Sequence, residues 1–164
     1  MKVAFEVAVA QHADTVLRVC RAVLGATTDA DDAWSETFLA ALQAWPSLDD
    51  DTNVEAWLVR VAHRKAIDVV RSQSRRAVRS SLVPPEALQE HSWVEDGAST
   101  SEGSDGIWEA VSALPEKQRL AIAYHYCGGL SHVETAELTG STPDAVRRAA
   151  ADGMKKLRKI YDHG

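Results

Sequence analysis

The sequence has few cysteines and no long hydrophobic run. Among its 164 residues there are two cysteines, Cys20 and Cys127, one in each half and neither in a CxxC pair. This predicts neither a disulfide framework nor a structural zinc site. No apolar run approaches the roughly 20 residues that cross a bilayer, and Glu6 stands where a signal peptide would be apolar. These absences predict a cytoplasmic protein without membrane insertion.

Positive charge is missing from one long stretch and concentrated in two others. Residues 80–116 contain no Lys or Arg but eight acids, whereas residues 60–79 carry seven basic residues and only one acid, Asp68. Residues 117–164 are again basic in sum. The net charge of −6 therefore conceals two basic segments separated by an acidic connector, which predicts two nucleic-acid contacts on one chain.

Helical periodicity dominates the first half, and no run alternates with period two for long enough to predict a sheet. The apolar pattern predicts a first helix that Gly25 closes, and a second that begins near Asp29 and ends before Pro46. A third, longer helix is predicted to run beyond Arg71. Three helices of this length can bury a common core, which predicts a first domain over residues 1–76.

The second half predicts a linker and then four short helices. Residues 77–105 are rich in Ser, Gly, Pro and acids, which is typical of a flexible linker. Within residues 106–164, Ser131 and Glu134 form a capping-box pattern, a glycine turn follows, and Pro143 suits the first position of the last helix. This order predicts a helix-turn-helix, whose second helix enters the DNA major groove. The predicted fold class is all-α, with two small helical domains joined by a flexible acidic linker.

Two ordered blocks of sequence resemble a known family. The first block contains the segments DADDAWSETFL (29–39), NVEAWL (53–58) and AIDVVR (66–71). The second contains LPEKQR (114–119), GLS (129–131), AELTG (136–140) and KKLR (155–158). In this order they resemble regions 2 and 4 of the extracytoplasmic-function (ECF, group four) sigma factors of the sigma-70 family. Region 2 is a bundle of three to four helices and region 4 a helix-turn-helix. The resemblance implies a non-enzymatic protein, without cofactor or metal, that binds core RNA polymerase and directs transcription initiation at specific promoters.

The resemblance also implies roles for three groups of residues. Asp32, Glu36 and Phe38 would bind the β′ clamp of the polymerase, because an acidic surface around an apolar anchor suits a basic helical partner. Contacts with the melted −10 element are implied for Asn53, Trp57, Arg60, Arg64, Lys65, Arg71 and Arg75, several of which can form a basic stripe along phosphates. Contacts with the −35 element are implied for Thr142, Asp144, Arg147, Arg148, Lys155 and Lys156. The β flap of the polymerase is a further implied partner, and the sequence does not decide whether an anti-sigma protein exists.

Several features leave alternatives open. Phe38 also suits a core position, with the neighbouring acids as a solvated face. Ala149, Asp152 and Met154 stand where the family usually has a basic residue, and Asp152 would repel phosphate. A sigma-like protein that binds polymerase or an anti-sigma partner without supporting transcription is therefore one alternative. A helix-turn-helix regulator that acts as a free dimer is another, although residues 161–164 leave little room for a dimerisation element. The six histidines match no catalytic motif, so an enzyme is not predicted.

Overall fold

The structure is a computed structural model that describes residues 2–80 and 105–162. Within these ranges every regular element is helical, which confirms the all-α prediction. The first half contains α1 (Phe5–Leu24), α2 (Thr28–Ala44) with a 3₁₀ turn at Trp45–Ser47, and α3 (Val54–Ser80). The second half contains α4 (Asp105–Ser112), α5 (Glu116–Ala121), α6 (His132–Thr139) and α7 (Pro143–Asp162). Most of the predicted linker lies outside the described residues.

The ends of the first two helices follow from local backbone chemistry. Gly25 has a φ of +80°, and its N–H donates to the Arg21 carbonyl oxygen at 2.7 Å. Only glycine takes up such a φ readily, so α1 ends where predicted. Pro46 follows α2 and confines its continuation to a single 3₁₀ turn. The third helix, α3, continues to Ser80 and so extends past the position where the predicted linker begins.

Apolar faces of α1, α2 and α3 meet in a common core. The buried members of this core from the three helices are Val16, Val19, Cys20, Ala22, Val23, Ala30, Ala33, Phe38, Ala41, Leu58, Val59, Ala62 and Ala66. Small alanines allow the helices to approach closely, and the larger side chains fill the remaining space at crystal-like density. Burial of each large aliphatic side chain contributes about 1.5–3 kcal/mol.

The helix-turn-helix is closed at both ends by the predicted residues. Ser131 Oγ accepts the Glu134 N–H at 3.0 Å, while a Glu134 carboxylate oxygen accepts the Ser131 N–H at 3.2 Å. Gly140 ends α6 with a φ of +70°, and Pro143 opens α7. The capping-box prediction is confirmed, and the box pairs backbone N–H groups at the start of α6.

An unpredicted feature lies between α5 and α6. The chain continues from α5 into a π-helical segment, Ile122–Cys127, which we call the π segment. The Gly128 N–H donates to the Ala123 carbonyl oxygen at 2.9 Å, which closes the wider turn of a π-helix. Such segments are rare and often occur at functional sites. Here the segment includes Tyr124, which is completely buried.

The two halves of the chain share one apolar core. The cluster that contains Val19 and Val59 of the first half also contains Tyr124 and Leu130 of the second. A Cβ atom on Gly128 would lie 3.0 Å from Val59 Cγ1 and 3.3 Å from Val19 Cγ2, so this glycine permits a close approach. The second half is therefore packed directly against α1 and α3, an arrangement that the sequence pattern did not predict.

Candidate partner and nucleic-acid interfaces

The exposed face of α2 is acidic and apolar. Asp32 and Glu36 are exposed and lie one turn apart. Phe38 is only 7% exposed and packs against Trp34, with ring centroids 4.9 Å apart. The exposed apolar side chain beside the two acids is Leu39, which is 60% exposed and shares their side of the helix by the 3.6-residue period.

Leu39 is therefore placed to make the apolar contact that was expected of Phe38. A second exposed apolar residue, Leu42, follows it along α2 and is 51% exposed. The family resemblance implied a docking role for Phe38 and not for Leu39 or Leu42. A helical-wheel comparison of Phe38 with the acids would have separated the core face from the exposed face.

A basic stripe lies along α3. Its members are Arg60, Arg64, Arg71 and Arg75, which fall within about 60° of one another around the helix. Arg64, Arg71 and Arg75 are exposed, and the Arg60 side chain retains 44% exposure. Lys65 is half-buried and lies away from this stripe. We call the four arginines the basic stripe.

Asn53 and Trp57 lie at the start of α3. Asn53 is exposed, and its side-chain oxygen accepts the Ala56 N–H at 3.2 Å, so it supports the first turn of the helix. Trp57 is half-buried, with its ring centroid 6.4 Å from that of Trp45. The structure thus places both residues next to the basic stripe, but each already has a structural contact.

The start of α7 is exposed and polar. Thr142 Oγ1 accepts the Ala145 N–H at 3.2 Å and supports the first turn. Arg147 donates to Asp144 at 2.8 Å, and both side chains are exposed, at 62% and 71%. Arg148 is exposed beside them. Further along the same helix Lys155 and Lys156 are also exposed.

The unusual residues of α7 have different environments. Ala149 is half-buried against the cluster that contains Val146, and Met154 is half-buried against the main core. A basic residue at either position would lose this packing, which explains why these two side chains are apolar. Asp152 is exposed, so it remains the only one of the three that can oppose phosphate.

Polar contacts join the basic stripe to the second half of the chain. Arg60 lies 3.7 Å from a carboxylate oxygen of Glu134 in α6. One turn along α3, the Nδ1 atom of His63 lies 2.6 Å from the Tyr124 hydroxyl, and the two rings meet edge to face. Burial, with further contributions from Arg64 and Arg71, lowers the pKa of His63 below 6.5. The neutral imidazole is thus favoured in this contact.

The cysteines and the remaining histidines show no catalytic or metal-binding arrangement within the described residues. Both thiols are unpaired. Burial raises the pKa of Cys20 to about 12 and that of Cys127 to about 11, so neither forms a reactive thiolate near neutral pH. His125 and His132 stack with ring centroids 4.1 Å apart. In residues 2–80 and 105–162, no three His, Cys, Asp or Glu side chains gather as metal ligands. None of the helices in these ranges combines the length and apolar character that a bilayer-spanning helix needs.

Comparison with known proteins gives matches over both halves. Residues 8–76 match the family described as Sigma-70 region 2, and residues 104–157 match Sigma-70, region 4. The ECF RNA polymerase sigma factor SigW of Bacillus subtilis is 27% identical over 156 residues, which cover 90% of this chain and 83% of SigW. SigD of Mycobacterium tuberculosis, also an ECF sigma factor, is 31% identical over 148 residues, covering 87% of this chain and 70% of SigD.

Two solved structures resemble the whole chain. CnrH, in complex with the cytosolic domain of CnrY, has a TM-score of 0.62 and 26% identity, and the match covers 97% of this chain and 88% of CnrH. The sigma factor RpoE from Bartonella quintana, in complex with the anti-sigma factor NepR, has a TM-score of 0.71. At 16% identity, with 96% of each chain covered, RpoE supports the fold alone.

The chain belongs to the ECF sigma factors of the sigma-70 family. It binds core RNA polymerase and promoter DNA and directs transcription initiation. The match over the first half accounts for α1 to α3, which a free helix-turn-helix regulator would not need.

Proposed function

We propose that this sigma factor divides its work among three surfaces, on α2, α3 and α7. Residues 1–76 would form the polymerase-docking and −10 domain, and residues 106–164 the −35 domain, with residues 77–105 as a linker. The observation that carries this proposal is the basic stripe on α3, because three of its four arginines are exposed and lie on one face. Such a row can follow the phosphates of separating strands.

The α2 surface docks on the β′ clamp through Asp32, Glu36 and Leu39. The acids attract a basic helical partner and increase the association rate, while the exposed leucine gains apolar contact. Phe38 supports this surface from below, since its ring fills the core under the helix. A second contact with the β flap belongs to residues 106–164.

The α3 surface holds the melted −10 element. Arg64, Arg71 and Arg75 neutralise phosphates as the strands separate, and Asn53 and Trp57 lie beside them at the start of the helix. A half-buried tryptophan can still present part of its ring to an unstacked base, and such stacking contributes about 1–3 kcal/mol per base. Lys65 lies away from the basic stripe and contributes only through its charge.

The α7 surface reads the −35 element in closed duplex. Thr142, Asp144, Arg147 and Arg148 lie in the first turns of α7, where side chains reach base edges. Asp144 holds the Arg147 guanidinium by a hydrogen bond of 2.8 Å, which orients it before DNA arrives. Lys155 and Lys156, further along the helix, would contact phosphates.

In-vitro transcription with core polymerase tests this division. Charge removal in Arg64→Ala and Arg71→Ala should impair transcription from a duplex promoter, and a pre-melted −10 bubble should restore much of it. The Arg147→Ala substitution impairs a step that precedes melting, so the bubble should not restore transcription by this variant. Instead, the preferred −35 sequence should change, because a bidentate base contact is worth about 1–3 kcal/mol of discrimination. If the bubble rescued both classes equally, or neither, the division would be wrong.

We further infer that a partner protein covers some of these surfaces, as an anti-sigma protein would, since CnrH, which is 26% identical to this chain, has the cytosolic domain of CnrY bound to it. Co-purification from a native host with tagged protein would test this, and recovery of polymerase alone would count against it. Sigma factors are in general not enzymes, and we infer the same for this chain. Because polymerase and DNA are cytoplasmic, we infer that it acts there.

A further inference from the structure

Contacts of the N-terminal segment reach the end of α2. Lys2 precedes α1, and its ammonium donates to the carbonyl oxygens of Trp45 and Leu48, each at 2.6 Å. The same ammonium lies 5.2 Å from the centroid of the Trp45 ring, within the range of a cation–π contact. Phe5, in the first turn of α1, meets this ring edge to face with centroids 5.4 Å apart. Trp45 is therefore held by two side chains from the start of the chain.

The backbone of the turn that follows α2 receives support from this lysine. The 3₁₀ turn Trp45–Ser47 is closed by the Leu48 N–H, which donates to the Trp45 carbonyl oxygen at 3.2 Å. Pro46 has no N–H to add another bond. Carbonyl groups at the end of a helical turn lack partners and carry partial negative charge, so a nearby cation stabilises them. Lys2 supplies this cation at the point where the chain leaves the turn.

The chain leads from this turn directly to the proposed −10 surface. Only four residues separate Leu48 from Asn53, whose side chain supports the first turn of α3. Trp57 lies one turn further along α3, and its half-buried ring has its centroid 6.4 Å from that of Trp45. One path of contacts therefore runs from Lys2 through Trp45 to Trp57. A second path runs along the backbone from Leu48 to Asn53.

We propose that Lys2 is a positioning residue for recognition of the −10 element. Its ammonium fixes the turn that ends α2 and, through Trp45, orients the Trp57 ring on which an unstacked base packs. The proposal rests on the proposed assignment of −10 contacts to Trp57. Lys2 is not itself a DNA contact, because its ammonium is engaged by two carbonyl groups and the Trp45 ring.

Two simpler roles of Lys2 predict a different experimental outcome. A cation beside the three aspartates at positions 49–51 would reduce their repulsion of the DNA backbone, and a tether between α1 and α2 would stabilise the fold. Either effect would change the binding of every −10 oligonucleotide by the same factor. A positioning role instead changes only the part of the binding that depends on the stacked base.

Binding of single-stranded −10 oligonucleotides to holoenzyme, formed from core polymerase and the full chain, separates these roles. An abasic site is scanned along the oligonucleotide to locate the stacked base. In wild-type holoenzyme, loss of this base should weaken binding by about five-fold, which we call the abasic penalty. Lys2→Met keeps the length of the side chain but removes its donors. It should bind the intact oligonucleotide about three- to five-fold more weakly, and its abasic penalty should fall below about two-fold.

Lys2→Arg and Arg18→Met are the controls. A guanidinium can donate to both carbonyl groups, so Lys2→Arg should restore binding of the intact oligonucleotide and most of the abasic penalty. Arg18→Met removes one positive charge from an exposed position of α1 and should leave the abasic penalty at about five-fold. Thermal unfolding of each preparation checks that the variants are folded at the assay temperature. An abasic penalty as large in Lys2→Met as in the wild type would overturn the proposal.

Failure of the proposed −10 surface is separately detectable. Trp57→Ala should itself weaken binding by about five-fold and lose the abasic penalty, and adding Lys2→Met to it should cause no further loss. Unchanged binding by Trp57→Ala would reject the assignment of Trp57 to the −10 surface, and with it the path through Trp45. Reduced binding by Trp57→Ala together with a full abasic penalty in Lys2→Met would reject the positioning role alone.

Discussion

Phe38→Ala and Leu39→Ala change neighbouring positions of α2 but remove side chains from different environments. Phe38 is 7% exposed and packs on Trp34, whereas Leu39 is 60% exposed. Truncation of a buried phenylalanine costs about 3–5 kcal/mol through lost burial and the cavity that remains. For a chain of this length, that should lower the melting temperature by about 6–20 °C. Leu39→Ala should change the free energy of unfolding by no more than about 0.5 kcal/mol.

For binding to core polymerase, we expect Leu39→Ala to have the larger effect and Phe38→Ala the smaller one. Burial of the exposed 60% of Leu39 in an interface is worth about 1–2 kcal/mol, in proportion to 1.5–3 kcal/mol for a whole side chain. Leu39→Ala should therefore weaken polymerase binding by about 5- to 30-fold. Phe38→Ala should weaken it much less, provided that binding is measured well below the reduced melting temperature.

Thermal unfolding and a fluorescence-based binding titration on the same preparations make this comparison. Ala40→Ser, a half-buried change on the same helix, controls for general effects of substitution in α2. If Phe38→Ala lost polymerase binding while its melting temperature stayed near that of the wild type, Phe38 would be the anchor. If Leu39→Ala bound normally, the proposed α2 surface would be wrong.

Three further predictions concern Asp152 in α7, the contact between His63 and Tyr124, and the cap of α6. Asp152→Arg should strengthen −35 binding and steepen its log–log salt dependence by about one unit if that face meets phosphate; an unchanged slope would place residue 152 away from DNA. Burial lowers the pKa of His63 below 6.5, so the unfolded chain takes up a proton first as the pH falls. The free energy of unfolding should therefore decline below about pH 6.5, and His63→Gln should flatten this decline in urea titrations. Equal pH dependence of the two proteins would contradict this. Ser131→Ala removes the capping hydroxyl and should cost about 1 kcal/mol, measured by the same titrations, and no loss would mean that another group caps α6.

Local signals in the sequence were sufficient to predict the ends of several helices and the family. Gly25, Pro46, Ser131 and Pro143 act through their own backbone or side chain within a few residues, so their effects could be predicted without tertiary structure. The alternation of basic and acidic segments likewise depends on sequence order alone. The residue assignments within the three surfaces, and the domain boundaries, stay predictions.

Tertiary structure alone decided which elements from distant parts of the chain meet. The different exposure of Phe38 and Leu39, by contrast, agrees with their positions around α2 relative to Asp32 and Glu36. The π segment is a wider backbone turn that no composition signal marks. It brings Tyr124 to His63, 61 positions away along the chain. Contacts at such separations depend on the sum of many weak packing interactions rather than on any local preference. The sequence pattern therefore did not predict that the two halves of the chain pack against each other.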